Sequence, residues 1–354
     1  MRQVLAYLAC VSQLAAPGQD SSPPRVFRNA VLVSVDGLRS DALIAVPAGE
    51  LPAFTRMMQG ASTLNARTDP EFTVTLPNHT AMFTGRFTYG GRGHGWVDNE
   101  DPPPGATLHS KKGEYICGMF DVAHDRGWRT AMYVGKSKFS LYDVSWDGEH
   151  GAPDRAGADQ GRDKIDEYGA FEESEEIADA VLRALKRKDG TGSPGSLVFA
   201  HFAVTDLVGH EHGWDLTPGS EYMQAVGEVE RELRRILNGI EAEKSLRGST
   251  VVVLTSDHGG GAPFQSHTDP TMWVDYIIPF LVWTGDSEPP RELYEINAAT
   301  RKDPGLKQPP RSAVGLPPIR NGDAGNLVLA LLALPPVPGS TLNAKQDLAV
   351  FAQR

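Results

Sequence analysis

Short apolar runs rich in β-branched and aromatic residues recur along the chain, and each is bounded by polar or glycine-containing segments. Such runs predict buried β-strands, and the helical patterns between them favour an α/β protein with a mostly parallel sheet. We therefore predict a three-layer αβα sandwich. The predicted strands are residues 30–35, 129–134, 197–204, 250–255 and 278–283.

Apolar residues spaced by three and four positions predict amphipathic helices between these strands. The shorter helix has Ile177, Val181 and Leu185 on its apolar face. A closing helix is predicted over 327–334, because prolines follow it directly. The apolar face of the longest helix consists of Tyr222, Val226, Val229, Leu233, Ile236 and Ile240.

Glycine- and proline-rich stretches predict long loops at about 88–114, 145–168 and 286–320. Loops of this length within a compact domain are usually functional or partly disordered. We interpret residues 23–354 as a single catalytic domain that carries these loops.

The N-terminus has the pattern of a modest secretory signal over residues 1–22, with Arg2 before a short apolar run and small residues after it. The run is too short and too polar to span a membrane, and no other segment approaches that length. This predicts a periplasmic or secreted protein without a transmembrane segment. The alternative is an unstructured N-terminal tail.

Composition narrows the choice of partner. The 354 residues carry a formal net charge of -11, with a pI near 5.4. An acidic chain is not suited to coating nucleic acid or anionic membranes. A small phosphorylated substrate could still bind if bound metal supplied positive charge. Cys117 stands alone outside the N-terminal segment, so no intramolecular disulfide is predicted.

Carboxylates and imidazoles lie at or just beyond the ends of predicted strands, or in a loop next to one, as for His267 in the loop leading to the strand at 278–283. Open α/β proteins bind ligands at the edge where parallel strands end. Taken alone, each such aspartate could simply cap a helix or a turn. Hard carboxylates mixed with imidazoles suit zinc, although manganese or iron would also be tolerated. Six ligands exceed the needs of one tetrahedral ion and predict two metals about 4 Å apart. The candidate ligands are Asp36, Asp206, His210, Asp257, His258 and His267.

Thr75 provides a candidate nucleophile in the segment TVTLPNHTAMFTG, directly ahead of a turn and a predicted helix start. A threonine hydroxyl is a weak nucleophile and needs a base or a metal ion to activate it. Backbone N–H groups at a helix starting near Pro77 and Asn78 could stabilise negative charge on phosphoryl oxygens.

Six motifs in order, spanning about residues 28–285, resemble the alkaline phosphatase superfamily. Within it they are most similar to the type I phosphodiesterase and nucleotide pyrophosphatase branch. The resemblance implies an alkaline phosphatase-like fold and two zinc ions. The motifs are VDGLRSD, TLPNHTAMFTG, HGWVDN, D-x-x-x-H, SDHGGG and SHTD.

The resemblance also implies roles for individual residues. Thr75 would attack phosphorus and form a covalent phosphothreonine intermediate, and Asn99 would contact a phosphoryl oxygen. One zinc would be held by Asp206, His210 and His267. The other would be held by Asp36, Asp257 and His258, together with Thr75.

Three positions bear on the substrate. Leu76 stands where the nucleotide pyrophosphatases carry an aromatic residue, which weakens the expectation of nucleotide stacking. Lys136 and Lys138 follow a predicted strand and are either substrate contacts or ordinary surface lysines. Because a monoester carries one more negative charge than a diester, such cations would favour it.

The leading prediction is therefore a hydrolase of phosphodiesters or pyrophosphates, and the alternative is a phosphomonoesterase on the same site. A catalytically inactive relative that binds phosphorylated ligands is less favoured, since no ligand is missing. A sulfatase is disfavoured because the segment after Thr75 lacks the C/S-x-P-x-R pattern.

The other histidines are interpreted as bystanders. His79 is expected to orient the turn beside Thr75, His201 lies inside a strand, and His212 falls off the helix face of Asp206. The remaining ones, in loops or helices without a matching partner, are His94, His109, His124 and His150.

Overall fold

The computed structural model describes residues 25–158, 161–187, 192–261, 264–285, 289–306 and 315–351. The predicted signal at 1–22 and part of the predicted loop at 286–320 lie outside these ranges. The strands are β1 (Asn29–Val35), β2 (Ala61–Arg67), β3 (Arg129–Val134), β4 (Glu167–Ala170), β5 (Ser196–Phe202), β6 (Thr250–Thr255), β7 (Ile277–Trp283) and β8 (Arg291–Glu292).

The strands form one sheet in the order β4-β3-β5-β1-β6-β7-β2-β8. All neighbours pair in parallel except β7, which runs antiparallel to both β6 and β2. In the centre, Val35 of β1 pairs with Phe202 of β5, and Ser34 pairs with Thr255 of β6. The chain therefore leaves these three strands at one level of the same edge.

The longest helix is α8, and three short 3-10 segments cover Ser40–Ile44, Ser137–Phe139 and Asn321–Asp323. No helix in the described ranges is long and apolar enough to cross a membrane. The α-helices are α1 (Pro52–Met58), α2 (Thr75–Thr84), α3 (Leu108–Lys112), α4 (Met119–His124), α5 (Ser140–Ser145), α6 (Ser174–Lys186), α7 (Val204–His212), α8 (Glu221–Ala242), α9 (Trp273–Tyr276), α10 (Leu293–Ile296) and α11 (Ala324–Leu331).

Each face of the sheet has its own hydrophobic core. Ala30 and Leu32 of β1 point into one core, with α2, α4, α5 and α11. Val31 and Val33 point into the other, with α1, α6 and α8. Alternate side chains of a strand face opposite sides of a sheet, so the two cores define three layers. The predicted αβα sandwich with a mostly parallel sheet is confirmed.

Some predicted boundaries were wrong. The strand predicted over 197–204 ends at Phe202, because Val204 begins α7. The closing helix is three residues earlier than predicted and ends before Ala333, whose φ of 56° is left-handed. β2, β4 and β8 were missed, since β2 buries polar residues that break its apolar alternation, while β4 and β8 are short edge strands.

Candidate metal centre and active site

The candidate ligands converge at the edge where β1, β5 and β6 end. Asp36 directly follows β1, Asp206 lies in α7 just after β5, and Asp257 follows β6. His267 precedes β7, yet it reaches the same edge because β7 alone runs the other way. The reversed strand thus explains why a residue before a strand joins residues that follow strands.

The donor atoms fall into two groups. In the first, which we call cluster A, His210 and His267 present Nε2 atoms at 3.5 and 3.6 Å from Asp206 Oδ1. The two Nε2 atoms are 3.2 Å apart. The four-residue spacing of Asp206 and His210 places both on one face of α7. His210 retains 46% of its side-chain exposure, so cluster A opens to solvent on this side.

The second group, cluster B, consists of Asp36, Asp257 and His258, all fully buried. His258 Nε2 lies 3.4 Å from Asp36 Oδ1 and 3.2 Å from Asp257 Oδ2. The glycines after His258 allow this packing. A Cβ at Gly259 would lie 2.0 Å from the Val274 carbonyl oxygen, so no larger residue fits there.

The two clusters are adjacent. The rings of His258 and His267 stack with their centroids 3.6 Å apart. Lys136 Nζ lies 2.7 Å from Asp36 Oδ2 and 2.6 Å from Asp206 Oδ2, so one ammonium links a carboxylate of each cluster.

The three histidines of the clusters are held in one tautomer. Each has its Nδ1 against a backbone carbonyl, which requires that nitrogen to carry the proton. Their Nε2 lone pairs are then free to bind a metal, the arrangement typical of metal-ligating histidines. The pairs are His258 with Gly259 at 2.8 Å, His210 with Gln265 at 3.0 Å and His267 with Thr73 at 2.5 Å.

Several buried atoms of the clusters have no hydrogen-bond partner among the described residues. They are Asp36 Oδ1, Asp206 Oδ1, Asp257 Oδ2 and His258 Nε2. Burying a polar atom without a partner costs about 1–3 kcal/mol, and more when the group is charged. Divalent cations in both clusters would satisfy these atoms, so the donor set fits the metals that the resemblance implies.

The electrostatics of the clusters favour added cations. Burial alone would raise the pKa of Asp36, but Lys136 and His201 outweigh it and hold the pKa well below its usual range. Burial and the Asp36 carboxylate raise the pKa of Asp257 well above its usual range. Burial and the neighbouring His267 lower the pKa of His258 to about 3, which keeps it neutral. With three carboxylates against one lysine, the site is short of positive charge.

Thr75 is the first residue of α2, and the chain around it lies next to both clusters. Its carbonyl accepts a hydrogen bond from His79 Nδ1 at 2.8 Å, and this nitrogen lies 3.7 Å from Asp257 Oδ2. Thr73 accepts from His267 Nδ1 and donates its hydroxyl to the His267 carbonyl at 2.5 Å. The helix begins two residues earlier than predicted.

Asn99 and Leu76 are joined by a hydrogen bond that the sequence did not predict. The Leu76 side chain is fully buried in the core on one face of the sheet. Its backbone N–H donates to Asn99 Oδ1 at 2.9 Å. This leaves the amide NH₂ of Asn99 as the group available to a ligand.

A cavity of about 450 Å³ opens in front of cluster A. Lys136 and Lys138 both line it, with Asn99 and the exposed Leu207. The predicted substrate contacts other than Leu76 therefore share one cavity with Asp206.

Two residues that support the site were not identified from the sequence. His201, interpreted as a bystander, accepts from the Gly135 N–H at Nδ1 and donates from Nε2 to Asp36 Oδ2 at 2.9 Å. Its signal was an imidazole inside an otherwise apolar strand. Asn321 donates its amide to Asn78 Oδ1 at 3.0 Å, the Ser256 carbonyl at 3.3 Å and the Asp257 carbonyl at 3.1 Å. No local pattern marks this residue.

Gly37 permits close contact between the two clusters. Its φ of 67° is left-handed, and a Cβ there would lie 3.1 Å from Asp206 Cα and Cβ. Its N–H donates to Asp257 Oδ1 at 3.2 Å. Glycine is the residue that adopts this conformation without strain.

A third group of possible metal-binding atoms, from His124, Asp125 and Asp154, lies away from this edge. The buried Lys164 ammonium sits among them, 3.1 Å from Asp125 Oδ1. A lysine therefore already supplies the positive charge there.

Several solved structures share this fold at low sequence identity. An inactive variant of murine ectonucleotide pyrophosphatase / phosphodiesterase 5 in complex with AMP is 15% identical, with a TM-score of 0.55 over 90% of this chain and 99% of that one. A 2-O GAG sulfatase is 13% identical, with a TM-score of 0.59 over 91% of this chain and 74% of that one. An alkaline phosphatase superfamily protein from Vibrio parahaemolyticus is 12% identical, with a TM-score of 0.53 over 87% and 66% of the two chains.

The family follows from the sequence. Residues 30–280 match the family described as type I phosphodiesterase / nucleotide pyrophosphatase, and the chain belongs to it. No curated protein matches the chain. The family resemblance predicted from the motifs is therefore confirmed.

Proposed function

We propose that this protein is a metal-dependent hydrolase of phosphodiesters or pyrophosphates that uses Thr75 as its nucleophile. The observation that carries the proposal is the pair of clusters beside the start of α2. Four of their buried atoms have no hydrogen-bond partner within the described ranges. Family membership supports the reaction class. The AMP bound by the murine structural neighbour supports a small phosphorylated substrate.

Each cluster would hold one divalent ion, and the mixture of carboxylates and imidazoles favours zinc. Asp206, His210 and His267 would hold one ion, and Asp36, Asp257 and His258 the other, together with Thr75. Bound metal lowers the pKa of a coordinated hydroxyl and neutralises charge on phosphoryl and leaving oxygens.

The residues of the chain would perform two displacements. Thr75 Oγ bonds to phosphorus as the bond to the leaving oxygen breaks, and the hydroxyl proton is lost while the leaving alcohol gains one. Water then attacks the phosphothreonine, the bond from phosphorus to Thr75 Oγ breaks, and the hydroxyl regains a proton. The Asn99 NH₂ would donate to a phosphoryl oxygen in both steps.

A phosphomonoesterase is the second candidate. Lys136 and Lys138 both line the cavity in front of cluster A, and such cations suit the extra charge of a monoester. The sulfatases among the structural neighbours share the fold only, and the segment after Thr75 differs from their pattern. A periplasmic or secreted location remains a prediction from residues 1–22.

The test compares hydrolysis of bis-4-nitrophenyl phosphate with that of 4-nitrophenyl phosphate and measures bound metal. We expect about two zinc ions per chain, faster diester hydrolysis, and loss of activity on chelation. Thr75→Ala should lower kcat by about 10³-fold or more, since it removes the attacking atom. Thr55→Ala, in α1, is the control and should be unaffected. A metal-free, inactive protein would refute the proposal, and a much faster monoester reaction would favour the second candidate.

A further inference from the structure

Asn99 is held at two points. Its side-chain Oδ1 accepts from the Leu76 N–H at 2.9 Å, at the start of the helix that carries Thr75. Its backbone carbonyl accepts from Lys138 Nζ at 2.8 Å. Lys138 lies in the 3-10 segment after β3, so the two bonds fix Asn99 between two separate elements.

The first hydrogen bond determines which group of the Asn99 amide is left for a ligand. A backbone N–H can only donate, so the atom of Asn99 that meets Leu76 must be the oxygen. The orientation of the amide is therefore set by the chain, and its NH₂ is the donor left for a phosphoryl oxygen. A change in the position of the Asn99 backbone would misalign that donor.

The second bond distinguishes the two lysines of the cavity. Lys136 is bound to the carboxylates of Asp36 and Asp206. Lys138 instead donates to a neutral carbonyl, and that carbonyl belongs to Asn99. The two lysines thus have different partners although they are two residues apart.

We propose that Lys138 is a positioning residue that acts on the reaction through Asn99 and does not bind the charged substrate directly. This inference rests on the proposed function. It assigns Lys138 a role for diesters and monoesters alike, in contrast to a cation that would select monoesters.

The test is a double-mutant cycle of Asn99→Ala and Lys138→Met, assayed on both nitrophenyl esters. If Lys138 acts through Asn99, Lys138→Met should lower kcat about tenfold on both esters and leave KM within about twofold. In the Asn99→Ala background, the same substitution should then lower kcat by less than about twofold. Bound zinc and the melting temperature are measured for each variant.

Two further variants sharpen the test. Lys138→Gln removes the charge but keeps an N–H donor, and should retain kcat within about threefold on both esters. Lys111→Met is the matched control, because the exposed Lys111 binds the Asp98 carboxylate next to Asn99 at 3.0 Å. An exposed ion pair contributes little, so this variant should match the wild type.

The proposal is overturned if Lys138→Met still lowers kcat about tenfold in the Asn99→Ala background, or if Lys138→Gln selectively loses activity on the monoester. Either result would mean that Lys138 contacts the substrate. If Lys138→Met does not fold, the Lys138→Gln result decides alone. A wild type that binds two metals yet hydrolyses neither ester would instead refute the proposed function.

Discussion

Replacing Asn321 with alanine removes the amide that joins the nucleophile helix to cluster B. The Asn321 NH₂ donates to Asn78 in α2 and to the Ser256 and Asp257 carbonyls. Its two protons contribute about 1 kcal/mol each, and leaving a buried carbonyl unpaired costs about 1 kcal/mol more. We therefore expect Asn321→Ala to lower the free energy of unfolding by about 3 kcal/mol.

The assay is thermal unfolding together with kcat and metal content. At about 2.1 cal/mol/K per residue, unfolding a chain of this length has an entropy near 0.7 kcal/mol/K, so 3 kcal/mol lowers Tm by about 4 °C. Because Asp257 moves relative to Thr75, kcat should also fall about tenfold or more.

Two comparisons make this prediction specific. Asn321→Asp should be worse than Asn321→Ala, since it places a carboxylate against two buried carbonyls. The control is Asn238→Ala, at an exposed asparagine that accepts from Arg56 at 2.8 Å, and it should change neither quantity. Unchanged Tm and unchanged kcat in the Asn321→Ala protein would show that this amide does not support the site.

Three other predictions concern a glycine and a histidine beside the clusters and a buried carboxylate in α4. Gly37→Ala should lower the free energy of unfolding by about 1–3 kcal/mol and lose metal from cluster A. Gly219 is also left-handed but has open space around it, so Gly219→Ala should add only backbone strain. Equal metal content in the two variants would contradict this. His201→Leu removes the donor to a cluster B carboxylate and should weaken metal affinity 10–100-fold in chelator competition; unchanged affinity would count against it. Burial raises the pKa of Asp121 to about 6, so the folded state binds its proton more tightly. The free energy of unfolding should fall by up to about 3 kcal/mol as pH rises from 4 to 6, and Asp121→Asn should remove this pH dependence in urea unfolding measured at each pH. The same pH dependence in wild type and variant would contradict the prediction.

The local sequence pattern was enough to predict the layers and, to within two residues, the ends of the five strands that it indicated. The central strands are buried on both faces, so their apolar runs are continuous and can be recognised without knowledge of their neighbours. Asp36 and Asp257 were found because they directly follow such runs, and parallel strands end at one edge. The four-residue spacing of Asp206 and His210 likewise needs only helix geometry.

Local pattern and motifs were therefore sufficient to predict the layered fold, the family and the set of polar residues near one sheet edge. The folded structure was needed to show that β7 runs antiparallel and brings His267 to that edge. It was also needed to show that Leu76 packs into the core while its N–H binds Asn99. It also revealed His201 and Asn321, whose partners lie 165 and 243 residues away. Periodic burial is a local property of the chain, but a hydrogen bond between distant residues exists only once the chain has folded.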